Sequence, residues 1–488
     1  MRTTTISAVG YLAAVAAAAK DARTFAVLRF NGDGFLTEGR MDPLVNPGTA
    51  ATHYHGIMGG SNFDLTVEGE QLLDSNCTTA KIANDFSNYW IPSLFFQDPS
   101  NESKFTKVPL FYMNVYYFFE PTNDEVKAFP PGLKMLIGDV HTRAPPKSAA
   151  INLDPNQGDI QPVQFTCPRS SYTPASYPAN SDGSTAGIQD PQNAGAGAGF
   201  PLYPCDGYGS PLRQDIHFPS CYNPDVGLND YENNMKWPAT GSDGKQDCPE
   251  GYTHVPHLFY EVYWDTPQFD GQWTPDGKNQ PFVLSNGDAT GFSSHADFIA
   301  GWDENTLQTI IDTCDAGSLG MDTCPQIPGG LNTDTNCKID PKITESVSIL
   351  SNTAGNTISK LPGDNAVTGW GRGGVTGGSV GSDSGSGSSA AASQGSSKTS
   401  TSEAAAEETV AAQDVAAPAT AAQAQTTESP AAPAAESVES VDGGMETVWD
   451  VVTVTATETT FAQPTEGVQR RNHRHGHAAR HARHAGRR

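Results

Sequence analysis

The chain has 488 residues and a formal net charge of -26, with 17% charged residues. Such an acidic balance argues against nucleic-acid binding by the main body of the protein and favours a self-repelling, soluble secreted protein. The length suits about two or three domains if all of it folds. The composition changes along the chain, however, so we expect only a part of it to form a packed core.

The N-terminus has the pattern of a secretory signal. Arg2 is followed by an apolar, alanine-rich run from Ile6 to Ala19, which predicts a signal peptide over residues 1–19. A buried amphipathic helix is the alternative interpretation. The run is too short to span a bilayer, no other long apolar stretch follows, and the C-terminus is basic. We therefore expect no integral membrane anchor and a secreted protein that is extracellular or associated with the cell wall.

Segments rich in aromatic and β-branched residues predict strands along the first two thirds of the chain. These segments are Arg23–Phe30, Leu110–Phe119, Lys134–Val140, His257–Trp264 and Pro281–Ser285. Residues 193–199 alternate alanine and glycine after Asn193, and this composition is typical of a surface insertion.

A single buried helical face is predicted from residues at i, i+3, i+4 and i+7, namely Leu307, Ile310, Ile311 and Cys314. Asp303 or Asn305 can cap this helix, and for Asp303 a cap is favoured over a catalytic role. Together the elements predict a mainly β fold with a few short helices. Its antiparallel, loop-rich, disulfide-bridged β core covers residues 24–340.

The cysteines support the bridged core. All eight lie between Cys77 and Cys337, and an even count in a secreted chain favours disulfides, although the spacing does not choose among the pairings. No Cys-x-x-Cys spacing occurs, so a thiolate metal site is not expected. Sequons at Asn76 and Asn101 predict surface loops that carry N-glycans in a secreted protein.

The C-terminal part changes in character. Residues 341–446 are Gly/Ser-rich and then Ala/Thr/Glu/Pro-rich, which predicts a disordered linker. Residues 447–461 alternate like an isolated strand, and residues 462–488 form a basic His/Arg-rich tail. This tail is either a solvated, protease-trimmed end, the favoured interpretation, or a segment that binds anionic wall polymers.

Two short segments carry the residues best suited to chemistry. His53 and His55 lie on one face if the segment is extended, and the Gly59-Gly60 pair that follows allows close approach of the backbone. His295 and Asp297 repeat the same spacing. If His295 joins the first pair, the three imidazoles form a site with an open position, as in catalytic zinc and copper centres.

Several roles stay open for this predicted site. His53, His55, His295 and Asp297 are the candidate catalytic residues, and the three histidines are the candidate ligands of a divalent metal; no cofactor is certain. Asp297 or Asp288 can be a ligand, an orienting carboxylate or a general base. Histidines in turns that bond only to the local backbone are the structural alternative.

Aromatic residues beside predicted strands are candidates for binding sugar rings. Tyr89, Trp90 and Asp288 are the predicted substrate-binding residues, with Trp90, beside a loop proline, expected to be the most exposed. Burial in the core is the favoured interpretation for most of the aromatic residues in these segments. Glu261 would have a raised pKa if it were buried, but a solvent-facing position is favoured for it.

A set of motifs in a fixed order resembles DUF1996, a family of secreted fungal proteins with a domain of unknown function. The motifs are Met41–Gly48, His53-x-His55 with Gly59-Gly60, Ser87–Pro92, Ala128–Gly132, Phe218–Cys221, Leu258–Val262 and Asn286–Asp303. The resemblance spans about residues 24–325. It implies a secreted, cysteine-bridged domain and no particular reaction.

One position departs from the family pattern, because relatives often have His-Gly-Asp where this chain has His295-Ala296-Asp297. A turn that needed a positive φ at this position would be strained by Ala296.

The leading functional hypothesis is a secreted protein that acts on or binds cell-wall polysaccharide through the histidine-centred site. As an enzyme it would be a carbohydrate-active hydrolase or lyase, with imidazole or carboxylate groups transferring protons at a glycosidic linkage. The alternatives are a non-catalytic wall or adhesion protein with a glycosylated stalk, and a metal-binding protein that uses the three histidines. Cell-wall glycans are the expected partners and nucleic acid is not. The histidine site requires that its two segments meet at a hollow that solvent can reach.

Overall fold

The computed structural model describes residues 21–207, 211–343, 345 and 356–370. Within these ranges the chain forms many short strands, joined by long loops, and one α-helix. In chain order the strands are β1 Thr24–Arg29, β2 Thr37–Gly39, β3 His55–Gly59, β4 Asn88–Pro92, β5 Leu94–Gln97, β6 Phe105–Lys107, β7 Leu110–Phe119, β8 Lys134–Ile137, β9 Val163–Thr166, β10 Ile188–Asp190, β11 Asn193–Ala198, β12 Leu212–His217, β13 Cys221–Tyr222, β14 Met235–Lys236, β15 Ala239–Thr240, β16 Gln246–Asp247, β17 Thr253–His254, β18 His257–Trp264, β19 Phe282–Leu284, β20 Ala296–Ile299 and β21 Thr357–Ile358.

The helices are few and short. The α-helix α1 covers Glu304–Thr313, and 3-10 turns lie at Gln71–Asp74, Pro155–Gln157, Thr266–Phe269, Met321–Thr323 and Pro362–Asp364. The Asp303 carboxylate accepts a hydrogen bond from the Thr306 backbone amide at 2.8 Å, as the predicted N-cap requires. No helix within the described ranges is long and apolar enough to cross a membrane.

The strands assemble into antiparallel sheets. The large sheet has the order β1-β7-β18-β12-β9-β11-β10, and the sheet that carries the histidines, called the histidine sheet, has the order β2-β3-β4-β20-β8. A third sheet has the order β19-β5-β6-β21, and two small sheets have the orders β14-β13-β17 and β15-β16. The predicted mainly β, antiparallel fold is therefore confirmed.

The histidine sheet is buried on both faces. One face packs on the inner face of the large sheet in a core that includes Met58, Tyr89, Phe298, Val115, Leu258 and Ile216. The other face is covered by the loops between β2 and β4 in a second core that includes Ile57, Trp90, Ile299, Met41, Phe63 and Leu72. Every residue of β3, β4 and β20 is buried in consequence.

All eight cysteines form disulfides within the described residues, which confirms the predicted bridged core. The pairs are Cys77–Cys337, Cys167–Cys205, Cys221–Cys248 and Cys314–Cys324. The first joins the loop after β3 to the segment that follows the 3-10 turn at Met321–Thr323. The sequon residues Asn76 and Asn101 are both exposed, as predicted.

Two expectations about the chain path are wrong. Asn193–Ala198 is not a surface insertion but strand β11, because the ring of Tyr177 packs so close to Gly197 that only residues without bulk fit. The folded region also extends past residue 340. β21 pairs with β6, and Leu361 packs in a core with Tyr54 and Phe95.

The remaining predictions for the chain termini lie outside the described residues. These are the signal peptide at 1–19, the linker from 371 to 446, the strand at 447–461 and the basic tail at 462–488.

Candidate metal centre

The pairing of three strands brings the histidine segments together. β3 pairs with β4, and β4 pairs with β20. His55 lies opposite Pro92, and Asp297 lies opposite Trp90. His295 immediately precedes β20, two residues before Asp297, and two residues along the antiparallel β4 lead from Trp90 to Pro92, so His295 lies near the row of His55. Because side chains alternate along strands, His55 and His295 project to the same face of the histidine sheet.

The three imidazoles converge at one point. The Nε2 atoms of His53 and His295 are 2.9 Å apart, and the ring centroids of His53 and His55 are 4.2 Å apart. One ring nitrogen of each histidine lies within 4.8 Å of the others. The predicted association of the two segments is therefore present in the fold.

The hydrogen bonds at the edge of the cluster determine the tautomers. A carbonyl oxygen only accepts, so Nδ1–H of His295 donates to the Ser293 carbonyl at 2.8 Å and leaves Nε2 with a free electron pair. In one arrangement of the neutral rings, Nε2–H of His53 donates to Nε2 of His295, and the Thr52 hydroxyl donates to Nδ1 of His53 at 3.0 Å. If the Thr52 hydroxyl accepts instead, both Nε2 atoms present electron pairs to the same point.

His55 lacks such partners. Both of its ring nitrogens are buried and neither makes a hydrogen bond of normal geometry. A buried polar atom without a partner costs about 1–3 kcal/mol, and His55 contains two. Packing alone does not explain an imidazole at this position.

Burial keeps the rings uncharged. Only 2%, 0% and 1% of the surfaces of His53, His55 and His295 are exposed. Desolvation is the main cause that lowers the pKa of His53 and of His55 well below the ordinary value, followed by the charges of neighbouring histidines; the Met41 backbone partly opposes the shift for His55. Desolvation also lowers the pKa of His295 to about 4. Neutral imidazole is the form that binds metal ions.

The same burial contradicts one expectation. The predicted site required a cavity that solvent can reach, and the three rings are instead almost completely enclosed. Two loops lie against them: His141 and Arg143, in the loop after β8, are near His53, and the loop between β19 and β20 presents the Ser293 carbonyl to His295.

Asp297 lies beside the cluster but does not join it. Its carboxyl oxygens are buried without hydrogen-bond partners, and it is not part of the group of converging ligand atoms. Burial raises its pKa well above the ordinary value, and the nearby carboxylate of Asp42 adds to this effect. Ala296 starts β20 without a positive φ, so the departure from the family pattern causes no strain.

Asp288 stabilises the loop between β19 and β20. Its carboxylate accepts hydrogen bonds from the backbone amides and hydroxyls of Thr290 and Ser293, at 2.6–2.9 Å, and its side chain has no exposed surface. The loop presents the Ser293 carbonyl to His295. Asp288 therefore positions a histidine and has no free oxygen to offer a substrate.

Both aromatic candidates for sugar binding are enclosed. Trp90 is fully buried against Phe63, so the expectation that it is exposed is wrong. Tyr89 is also fully buried, and its hydroxyl bonds to Asp85 and Tyr117 at 2.7 and 2.6 Å. A ring stacks on a sugar only through an accessible face, and the double-sided burial of β4 removes both faces.

Sequence reasoning misjudged Glu261 and missed its neighbours. Glu261 is buried rather than solvent-facing, and desolvation is the main cause of its raised pKa. On the same strand His257 bonds to His217 and to Glu120. The signal was the alternation of His257, Phe259, Glu261 and Tyr263 along β18, which places one polar and aromatic row on a single face of the strand. A further group, Asp124, Cys248 and His254, cannot provide a thiolate because Cys248 is in a disulfide.

Comparison with known families gives one match. The family model described as a domain of unknown function (DUF1996) matches residues 42–302, which include all the candidate site residues and exclude α1. Neither the curated proteins nor the solved structures include a significant match.

Proposed function

The chain belongs to the DUF1996 family, and from the geometry of its buried imidazoles we propose that it is a metal-binding protein in which His53, His55 and His295 hold a single divalent transition-metal ion. The observation that carries the proposal is the convergence of three neutral rings, one of which, His55, has both ring nitrogens buried without a hydrogen bond of normal geometry.

The chemistry of the donors favours zinc or copper. Imidazole nitrogens suit these ions, whereas calcium and magnesium prefer oxygen ligands. Zinc binds nitrogen at about 2.0–2.1 Å, so two nitrogens bound at a right angle are about 2.9 Å apart. The Nε2 atoms of His53 and His295 have this separation. A small outward movement of one ring reaches tetrahedral geometry.

A bound ion would also reduce the energetic cost of the cluster. It would accept the electron pair of one His55 nitrogen and replace the proton shared between His53 and His295. Because each unpaired buried atom costs about 1–3 kcal/mol, metal binding should stabilise the folded domain measurably.

Metal analysis of the full-length protein tests the proposal. Protein purified without chelator and then dialysed against zinc or copper is expected to retain a single ion per chain and to melt at higher temperature than chelator-treated protein. His55→Ala should lose the ion. His217→Gln, which changes a buried histidine on the large sheet, is the matched control and should retain it.

Folding defects can be separated from ligand loss. If His55→Ala does not fold, His53→Gln changes the most accessible of the three rings and keeps a polar side chain. Wild-type protein that binds neither metal, or a folded His55→Ala variant that retains the ion, would overturn the proposal.

Action on cell-wall polysaccharide through this cluster stays a prediction, and it additionally requires the enclosing loops to open. Release of soluble sugar from fungal wall glucans, chitin or mannan, lost in His53→Ala, would support a carbohydrate-active enzyme. Binding without release would support the wall or adhesion protein. Secretion, also a prediction, is favoured by the four disulfides, which form in oxidising compartments.

A further inference from the structure

The outer face of the large sheet, which is turned away from the core, carries polar and aromatic side chains. Strand register places them in adjacent rows. We call this set the outer face: Arg213, Asp215 and His217 on β12; His257, Phe259, Glu261 and Tyr263 on β18; and Tyr112, Asn114, Tyr116 and Phe118 on β7.

Solvent reaches this face from the side of β7. Tyr112, Asn114 and Tyr116 are partly exposed, whereas the alternating residues Met113 and Val115 are buried in the core. The outward residues of β18 lie deeper, with Phe259 9% and Tyr263 5% exposed. The face therefore has an accessible side and a more enclosed centre.

A chain of hydrogen bonds crosses the enclosed part. The Glu120 carboxylate accepts from Nδ1–H of His257 at 3.2 Å, which leaves His257 Nε2 to accept from Nδ1–H of His217 at 3.0 Å. Nε2 of His217 then has a free electron pair. No described residue makes a hydrogen bond to this nitrogen, and 5% of the His217 surface is exposed. This nitrogen is available to accept a hydrogen bond from a ligand.

The guanidinium groups of the face are paired with carboxylates. Arg213 lies 2.7 Å from Asp215 and 3.2 Å from Glu261, two carboxylates that face each other across paired strands. Arg23 pairs with Glu120 at 3.0 Å. Both guanidinium groups are thus already neutralised, and the face offers no free cation to an anionic ligand. The net charge of -26 adds to this exclusion.

Aromatic rings lie beside these polar groups, with the partly exposed Tyr112 and Tyr116 on their outer side. The ring of Phe259 stacks on His217 at 4.4 Å and lies 5.2 Å from Tyr116, and Tyr112 lies 4.5 Å from Tyr263. Rings with polar edges suit ligands that combine apolar faces with hydroxyl groups. Sugars have both.

We propose that the outer face is a second binding site, for an uncharged glycan, in which the rings of Tyr112 and Tyr116 contact sugar faces and Nε2 of His217 accepts a hydroxyl hydrogen bond. The site is independent of the three-histidine centre, which lies on a different sheet.

The proposal can be tested on the full-length protein by isothermal titration and affinity electrophoresis. The probes are laminarin, a soluble mannan, chitin hexasaccharide and the matched pair of hydroxyethyl cellulose and carboxymethyl cellulose. Binding of at least one uncharged glycan is expected, with carboxymethyl cellulose bound more weakly than its uncharged partner. Tyr112→Ala should weaken binding about two- to tenfold, because aromatic contacts are worth about 0.5–1.5 kcal/mol.

His217→Gln should weaken the same binding by a similar factor, since a neutral hydrogen bond contributes about 0.5–1.5 kcal/mol. Leu319→Ala, which removes the most exposed large apolar side chain outside the face, is the control and should bind normally.

If His217→Gln does not fold, as judged by circular dichroism, Tyr112→Ala decides, because its ring is only partly buried. Three results would each overturn the proposal: no uncharged glycan binds, carboxymethyl cellulose binds more tightly than hydroxyethyl cellulose, or folded Tyr112→Ala binds like the parent protein.

Discussion

Gly59 at the end of β3 determines how closely the histidine sheet packs, and replacing it with alanine should be severely destabilising. Its φ is +105°, and an added β-carbon would lie 1.7 Å from the carbonyl oxygen of Ser87. Real β-carbons do not approach such atoms closer than 3.0 Å, so β3 and the Ser87 backbone would have to separate by more than an ångström.

The cost has two parts. The positive φ costs an alanine about 1–3 kcal/mol. The separation also breaks the hydrogen bonds from the Gly59 amide to Thr79 at 2.8 Å and from the Gly60 amide to Ser87 at 3.2 Å. Each is worth about 1 kcal/mol. We expect Gly59→Ala to lower the free energy of unfolding by about 4 kcal/mol and, because β3 begins with His55, to reduce metal binding.

Gly158 provides the control, because its φ is +122° and nothing lies within 4 Å of an added β-carbon. Gly158→Ala should show only the backbone cost, about 1–3 kcal/mol. Urea unfolding of both variants with intact disulfides, followed by tryptophan fluorescence, measures the difference. Equal losses would show that close packing against Ser87 does not control this sheet.

Three other predictions concern stability. Replacing both Cys77 and Cys337 by serine should lower the free energy of unfolding by about 5 kcal/mol, because the bridge spans 260 residues and constrains a long loop of the unfolded chain; urea unfolding would show no change if the bridge does not form. Asp303→Ala should cost about 1 kcal/mol through loss of the helix cap and leave metal content unchanged; a loss of metal would contradict the purely structural role. Burial is the main cause that raises the pKa of Asp85 to about 7, so its neutral form favours folding at low pH, and this contribution disappears as the pH rises from about 4 through 7. Over this range the free energy of unfolding should fall by up to about 4 kcal/mol more in the parent than in Asp85→Asn. Urea unfolding of both proteins at a series of pH values measures this difference. If the free energy of unfolding depends on pH equally in both proteins, the pKa of Asp85 is not raised.

The local patterns of the sequence were sufficient for the elements that depend on local rules. Leu110–Phe119 and His257–Trp264 were predicted as strands, and β7 and β18 have these bounds. The helix cap at Asp303 was recognised because capping needs only a carboxylate next to the first turn. In His-x-His and His-x-Asp the two polar residues are two positions apart, and side chains two positions apart lie on the same face of a strand. The histidines could therefore be assigned to a common face.

Which residues are exposed depends on long-range packing, and local sequence patterns do not predict it. Trp90 and Asn193–Ala198 were misjudged because exposure depends on which distant segment covers a face, and a period of two does not say whether one face or both are covered.

From the sequence alone came the class of fold, the bridged core and the three imidazoles that share a face. The tertiary structure decided that loops enclose those imidazoles, that Asp297 stands apart from them, and that His217, His257 and Glu120 form a second polar chain on another sheet. The physical reason is that hydrogen bonds and desolvation act between neighbours in space, and strand pairing makes neighbours of residues that are more than a hundred positions apart.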